Sequence, residues 1–261
     1  PIFWSEEQMR MALQTSNMVD VLSNINENIE HAYNDGICAV IDSSFCKHFS
    51  MNEYKWAIGT VRSRSFEMQN GSIVLVPFGD SLNHNATSTV SWQLKNGSIV
   101  LRATTDLSAE KNDLELGMNY GSLDASKMFA VYGFVQNISI WKATLLVREN
   151  KELGTPSSAF QLTTEIEPQA LNLLHFICRQ NNNIRKTTTV KENLKTIHDI
   201  VISHMNDFSS VNHISTLSKY PPAGLHQARR YRAGELHVLN YWKQLTEKSL
   251  NKIKNQKLNV G

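Results

Sequence analysis

Apolar positions recur along this chain at two spacings, and the spacing changes near its middle. In the second half the period is helical. Leu171, Leu174, Ile177 and Cys178 share one face; Leu194, Ile197, Ile200, Val201 and Met205 share another; Leu236, Leu239, Trp242, Leu245 and Ile253 make a third. Pro168 suits a helix start, and Pro221-Pro222-Ala223-Gly224 breaks the chain before the last helix. Beyond residues 151–156 the reading is almost all helix, which places a domain boundary there. The first half is more mixed. Ser5 followed by Glu6 and Glu7 predicts a helix start, a capping side chain with acid in the first turn, with Met9, Leu13 and Met18 on its buried side. Residues 19–55 are polar with weak helical periodicity around 29–33 and 45–49, and residues 56–66 continue as helix.

Strand signals follow. Residues 73–76 are an apolar run ended by Pro77, which cannot donate to a ladder, and they predict a buried strand. The six residues N-G-S-I-V-L occur twice, at 70–75 and at 96–101. Asn-Gly is a strong hairpin signal because both central residues of a type I′ turn need positive φ. The second copy predicts a hairpin joining strands at 90–94 and 99–103. Leu114, Leu116, Met118 and Tyr120 alternate with Glu115, Gly117 and Asn119, which predicts a strand carrying Tyr120 inward. A short helix at 126–130 and another strand or extended packing segment at 138–147 complete the pattern. Short strands, tight turns and helices together predict an α+β protein built on small sheets, followed by an all-α C-terminal domain.

Composition narrows the class by exclusion. The 261 residues hold one large domain or two ordinary ones, and 26 basic against 24 acidic residues give no bulk charge for nucleic acid. No apolar run reaches the ~20 residues that span a bilayer, and the N-terminus is not a secretory signal. Three scattered cysteines, Cys38, Cys46 and Cys178, predict burial or an intracellular reducing compartment or organelle rather than a disulfide framework. There is no C-x-x-C, H-E-x-x-H, G-x-S-x-G or P-loop, and no metal site is expected. Arg229, Arg230, Arg232, Lys248, Lys252, Lys254 and Lys257 make the last helix basic, which reads as a solvated face or a seat for an acidic partner.

Chemistry concentrates between residues 61 and 84. Asp80, Asn83 and His84 fall within five residues of one another just after the 73–76 run, an arrangement that points to a site at a strand end. The ordered segments S-R-S-F (63–66), P-F-G-D-S-L-N-H (77–84), Tyr120-Gly121 and Y-G-F-V (132–135) resemble the SET domain of the Rubisco large-subunit lysine methyltransferase class. F-Q-L-T (160–163) and R-Y-R-A-G-E (230–235) resemble that class's helical C-terminal domain, so the likeness spans nearly the whole chain. It implies a partial SET domain over residues 1–150, with a helical insert over about 1–60, and a helical substrate-binding domain over 151–261. It also implies an S-adenosylmethionine-dependent protein-lysine N-methyltransferase acting on a protein that presents a lysine.

The resemblance assigns roles residue by residue. Tyr120 takes the place of the active-site tyrosine that aligns the amine. Arg64, Asn83, His84 and Phe134 take cofactor-binding places; Ser63, Phe66, Asp80, Met118 and Tyr132 take places along the substrate lysine. Read from the residues alone, each has a plainer explanation. Tyr120, Tyr132, Phe134 and Met118 could be ordinary core, Asn83-His84 and Asp80 a turn, and Arg64 an ion-pairing surface residue.

Three departures keep a second reading open. The chain contains no G-x-G, which the class carries in a segment preceding the insert, so a part of the cofactor wall is expected to lie outside these residues. The class's G-E-E is Asp113-Leu114-Glu115 here, and the usual Asn five residues after the tyrosine is Ala125. The alternative is therefore a catalytically degenerate SET-fold scaffold or a subunit of a larger assembly.

Overall fold

Ser5 opens the first helix as its capping side chain predicts. A computed structural model of the chain describes residues 1–41, 44–104, 115–136, 141–147, 158–164, 189–209 and 222–258. Helix α1 (Glu6–Leu13) starts with a capping box, in which the Ser5 hydroxyl accepts from the Gln8 N–H and the Gln8 side chain accepts from the Ser5 N–H. Met9 and Leu13 are buried on α1; Met18 is buried too, but as the first residue of α2 (Met18–His31). The described residues group into two compact units, one formed by residues 1, 3–23 and 124–261, the other by residues 2 and 24–123.

The second of these units begins in α2 and continues through a π-helical stretch (Ala32–Ile41), α3 (Phe45–His48) and α4 (Met51–Arg64). Tyr33 organises this helical part. Its ring lies 6.5 Å from Phe45 and 5.4 Å from Tyr54, and its hydroxyl donates to the Phe49 carbonyl at 2.5 Å. Cys38 and Cys46 are joined in a disulfide, with Cα atoms 5.7 Å apart. This overturns the expectation of unpaired thiols: the π-helical stretch turns back on α3, so residues that look scattered in sequence become neighbours.

Helix α4 ends at Arg64, and the chain enters β1 (Ser65–Glu67), so the S-R-S-F segment is half helix and half strand. β1 pairs antiparallel with β2 (Ile73–Leu75), Phe66 opposite Val74. Phe66 turns inward against Trp92, 5.4 Å away and edge-on. The other face of the hairpin carries Ile73 and Leu75, which are 64% and 54% exposed. The buried strand expected at 73–76 is thus a one-sided hairpin strand, since a two-stranded ribbon has a second face that nothing in its own sequence covers.

A four-stranded sheet follows, in the order β3 (Asn83–His84), β6 (Gly117–Met118), β4 (Val90–Lys95), β5 (Ser98–Ala103). β4 and β5 form the hairpin expected from the second Asn-Gly, with Asn96 at φ 51° and Gly97 at φ 76°. β6 is much shorter than the strand read over 114–120. Leu114 lies outside the described residues, and Tyr120 sits beyond the strand end, half-buried.

In the other unit, α5 (Ala125–Lys127) is capped by Asp124 and runs into a π-helical turn (Met128–Tyr132) that ends at Gly133. β7 (Ala143–Val147) pairs antiparallel with β8 (Ser158–Leu162). The second strand corrects the all-helix reading beyond residue 156: Phe160 and Leu162 of the F-Q-L-T segment are strand residues. α6 (Val190–Ser209) and α7 (Pro222–Leu258) pack on each other and on β7. α7 begins at Pro222, where a missing N–H costs nothing. The core here is Ala143, Leu145, Leu162, Ile197, Val201, Val238, Leu239 and Trp242, with the Trp242 indole N–H donating to the Thr163 carbonyl at 2.7 Å. The faces read around Leu171–Cys178, and the boundary at 151–156, lie outside the described residues.

Candidate active site

Parallel pairing of the two-residue strands β3 and β6 brings together segments more than thirty residues apart in the chain. Asn83 stands opposite Gly117 and His84 opposite Met118. The Asn85 N–H donates to the Met118 carbonyl at 3.0 Å, and Thr89 closes the other side through its hydroxyl, which accepts from the Gly117 N–H at 2.8 Å. Gly117 is required by space: a Cβ there would lie 2.6 Å from the Cβ of Asn85. That close approach places Tyr120, three residues on, beside His84.

Tyr120 is held at both ends. Its backbone N–H donates to Nδ1 of His84 at 3.1 Å, with the two rings 5.1 Å apart. Its hydroxyl donates to the Leu82 carbonyl at 2.6 Å. Burial, the leading cause, raises the phenol above its ordinary pKa; the Arg64 charge opposes this and the Asp80 charge adds to it. The phenol therefore keeps its proton at neutral pH. Burial likewise lowers the His84 imidazole, against a hydrogen bond with the Met118 backbone that raises it. A neutral imidazole is what the Tyr120 N–H requires, because Nδ1 must be an acceptor.

Arg64, at the end of α4, donates to the Asp80 carbonyl at 2.9 Å and lies 3.7 Å from its carboxylate. The Asn83 amide donates to Glu115 at 2.7 Å. Arg64, Asp80, Asn83, His84, Met118 and Tyr120 thus form one neighbourhood. Ser63 and Phe66 belong to the same unit but turn elsewhere: the Ser63 hydroxyl donates back to the Gly59 carbonyl of its own helix at 2.8 Å, and Phe66 is buried on Trp92. Tyr132 and Phe134 lie in the other unit, their rings 6.1 Å apart.

Four participants were not singled out from sequence. The Leu82 carbonyl carries no side-chain signal. Glu115 shows in the sequence as a polar alternator and part of a motif departure, and Thr89, just before β4, and Trp92 within it have nothing local to mark them. Gly117, a small residue inside an alternating apolar run, was the one available sign of a close backbone approach. Among the described residues no cluster of three or more His, Cys, Asp or Glu could hold a metal, and no helix is long and apolar enough to cross a membrane.

This arrangement of short strands around a tyrosine and an Asn-His pair is the SET fold. The chain superposes on "Structure of Rubisco LSMT bound to AdoMet" with a TM-score of 0.68 at 17% identity, over 97% of this chain and 68% of that one. It superposes on "Crystal structure of the SET domain of LSMT bound to Lysine and AdoHcy" with a TM-score of 0.67, also at 17% identity, over 95% and 67%. Among curated proteins, it is 24% identical over 163 residues to the chloroplastic Rubisco large subunit N-methyltransferase of Nicotiana tabacum, which is 53% of this chain and 33% of that protein. It is 27% identical over 154 residues to N-lysine methyltransferase setd6 of Xenopus laevis, 52% of this chain and 33% of that one. The chain spans about a third of the length of these relatives. No family model matches it.

Proposed function

We propose that this chain is part of an S-adenosylmethionine-dependent protein-lysine N-methyltransferase, with Tyr120 as its catalytic residue. The observation that carries this reading is the double anchoring of Tyr120, by His84 at its backbone and by the Leu82 carbonyl at its hydroxyl. A hydroxyl that donates to a fixed carbonyl turns its lone pairs toward an incoming amine and orients it. Free lysine has a pKa of about 10.4, so its ammonium must lose a proton before it can attack. The half-buried corner beside Met118 favours that loss, because desolvation disfavours the charged amine. Asp80, beside Arg64, would draw the cationic side chain to the entrance.

The donor set here fits an amino-acid-like cofactor. Arg64 would meet its carboxylate and Asn83 would hold its polar head through the amide. The His84 ring, already occupied by the Tyr120 N–H, would act by holding the Asn83-His84 strand in place. When bound, S-adenosylmethionine supplies a methyl group on a sulfonium, open to in-line attack. The parts suggested for Tyr132 and Phe134 rest on the sequence resemblance alone. Proteins similar to this chain are named for methylating lysine in Rubisco and in fructose-bisphosphate aldolase, which favours a protein substrate.

The test is methyl transfer by a protein containing this chain, followed by mass spectrometry of lysines in candidate protein substrates. Tyr120→Phe should lower the rate by roughly 100-fold or more, the scale of removing one preorganised hydroxyl or amide group. An unchanged rate would remove Tyr120 from the chemistry. A scaffold or assembly subunit is the second reading, favoured by Asp113-Leu114-Glu115 and Ala125 at positions where the class differs. Calorimetric binding of S-adenosylmethionine at micromolar strength would count against it.

A further inference from the structure

Glu235, on α7, is a charged residue in a place that does not suit a charge. It is 3% exposed, and among the described residues its Oε2 meets no hydrogen-bond partner. An ionised carboxylate has about four acceptor sites to satisfy. Two donors reach it, the Ser16 hydroxyl and the Tyr231 phenol. A neutral carboxyl asks for fewer, and a buried charge without full compensation is costly.

The groups around it form one connected cluster. Ser16 also accepts from the Met18 N–H at 3.1 Å, so the residue that bonds to Glu235 also bonds the first residue of α2. The Tyr231 hydroxyl lies 3.0 Å from Ser126 Oγ, and its ring stacks on Phe129 at 5.3 Å. One helical turn earlier, Gln227 accepts the Val135 N–H at 3.0 Å. Gln227, Tyr231 and Glu235 are four apart, so they make one stripe along α7. That stripe grips the stretch from Ser126 to Val135, on which Tyr132 and Phe134 sit. The charges that face Glu235 are Arg232 on α7, which favours ionisation, and, through Tyr231, Asp124, which is paired with Lys142 at 3.1 Å.

We propose that Glu235 is a proton-operated latch. Protonated, it brings no charge into this sealed site, and α7 stays seated on the Ser16 turn and the Ser126–Val135 stretch; ionised, it keeps its hydroxyl donors but bears a burial cost that they do not meet, which loosens that seat. This does not rest on the methyl-transfer reading. Burial, the leading cause, outweighs the Ser16 and Tyr231 hydrogen bonds and the Arg232 charge and pushes the carboxyl up to about 8. A carboxyl raised in the folded state binds its proton there more tightly than in the unfolded chain. Its contribution to stability is full below the ordinary carboxylate pKa, declines as pH rises toward about 8, and is flat beyond.

The experiment is denaturant unfolding of the full chain from acid to mildly alkaline pH, for wild type and Glu235→Gln. Relative to the variant, the wild-type unfolding constant should rise by up to about tenfold per pH unit across that window. Parallel profiles would overturn the latch. If the Gln variant does not fold, a carboxyl 13C NMR titration of native Glu235 decides: a midpoint near 8 supports the proposal, and one in the ordinary carboxylate range ends it. Amide exchange of the Phe129–Val135 stretch should accelerate more with pH in wild type than in the variant. Equal acceleration would detach that stretch from the latch.

Discussion

Tyr120 and Tyr231, one in each unit, are both tyrosines whose surroundings hold the phenol in its protonated form, yet they are set up for different work. The Tyr120 hydroxyl meets a backbone carbonyl, and its charged neighbours, Arg64 and Asp80, keep part of their surface in water. Tyr231 is 3% exposed and meets side chains, Ser126 and Glu235. A backbone partner fixes a hydroxyl without adding a proton to exchange, and partial exposure lets a reactant in. Side-chain partners in a sealed space share their protonation state, so such a cluster responds to pH rather than to substrate. What distinguishes a reactive tyrosine from a structural one here is the company and the access, since burial alone raises both.

The sharpest way to test this contrast is Tyr120→Phe. It should reduce methyl transfer by roughly 100-fold, about 2.7 kcal/mol of barrier, with a much smaller change in unfolding midpoint. Next in size is Gly117→Ala. Its Cβ would meet Asn85, so the strands beneath Tyr120 must part, at about 1–3 kcal/mol by denaturant unfolding. Tyr231→Phe should cost about 1–3 kcal/mol of stability, from stranding Glu235 and Ser126, while the transfer rate per folded molecule stays close to wild type. A large loss of rate there would erase the distinction between the two tyrosines. The smallest effect is at acid pH. His84 is lowered by burial, so the stability it adds is present above the ordinary imidazole pKa and is lost as pH falls through its folded value. The pH profile of unfolding should bend downward at the acid end for this corner, while the Glu235 contribution declines from the ordinary carboxylate range up to about 8 and then levels off. His84→Gln should flatten only the acid bend.

Legibility varied with how far apart the partners were. The helix start at Ser5 and the type I′ turn at Asn96-Gly97 were both readable, because each depends on a few adjacent residues with restricted backbone or a capping side chain, whereas Pro222-Ala223-Gly224, expected to break the chain ahead of the last helix, instead begin it. The neighbourhood of Arg64, Asp80, Asn83, His84, Met118 and Tyr120 was readable as a set of segments in order. The bonds within it were not, since the Tyr120–His84 pair spans 36 residues.

The two copies of N-G-S-I-V-L show the division most clearly. Copy 96–101 makes a tight turn with positive φ at both Asn96 and Gly97; in copy 70–75 Gly71 alone has positive φ, within a longer loop between β1 and β2. By itself the sequence determined that each copy would turn the chain and enter a strand, because glycine's freedom and the β-branched run are local properties. Only the tertiary structure decided which turn formed, which face of each strand was covered, that Ser158–Leu162 pairs as a strand beside β7, and that Glu235 lies inside. Those outcomes depend on surfaces brought together across the chain, and hydrophobic burial and hydrogen-bond satisfaction are settled only when both surfaces are present.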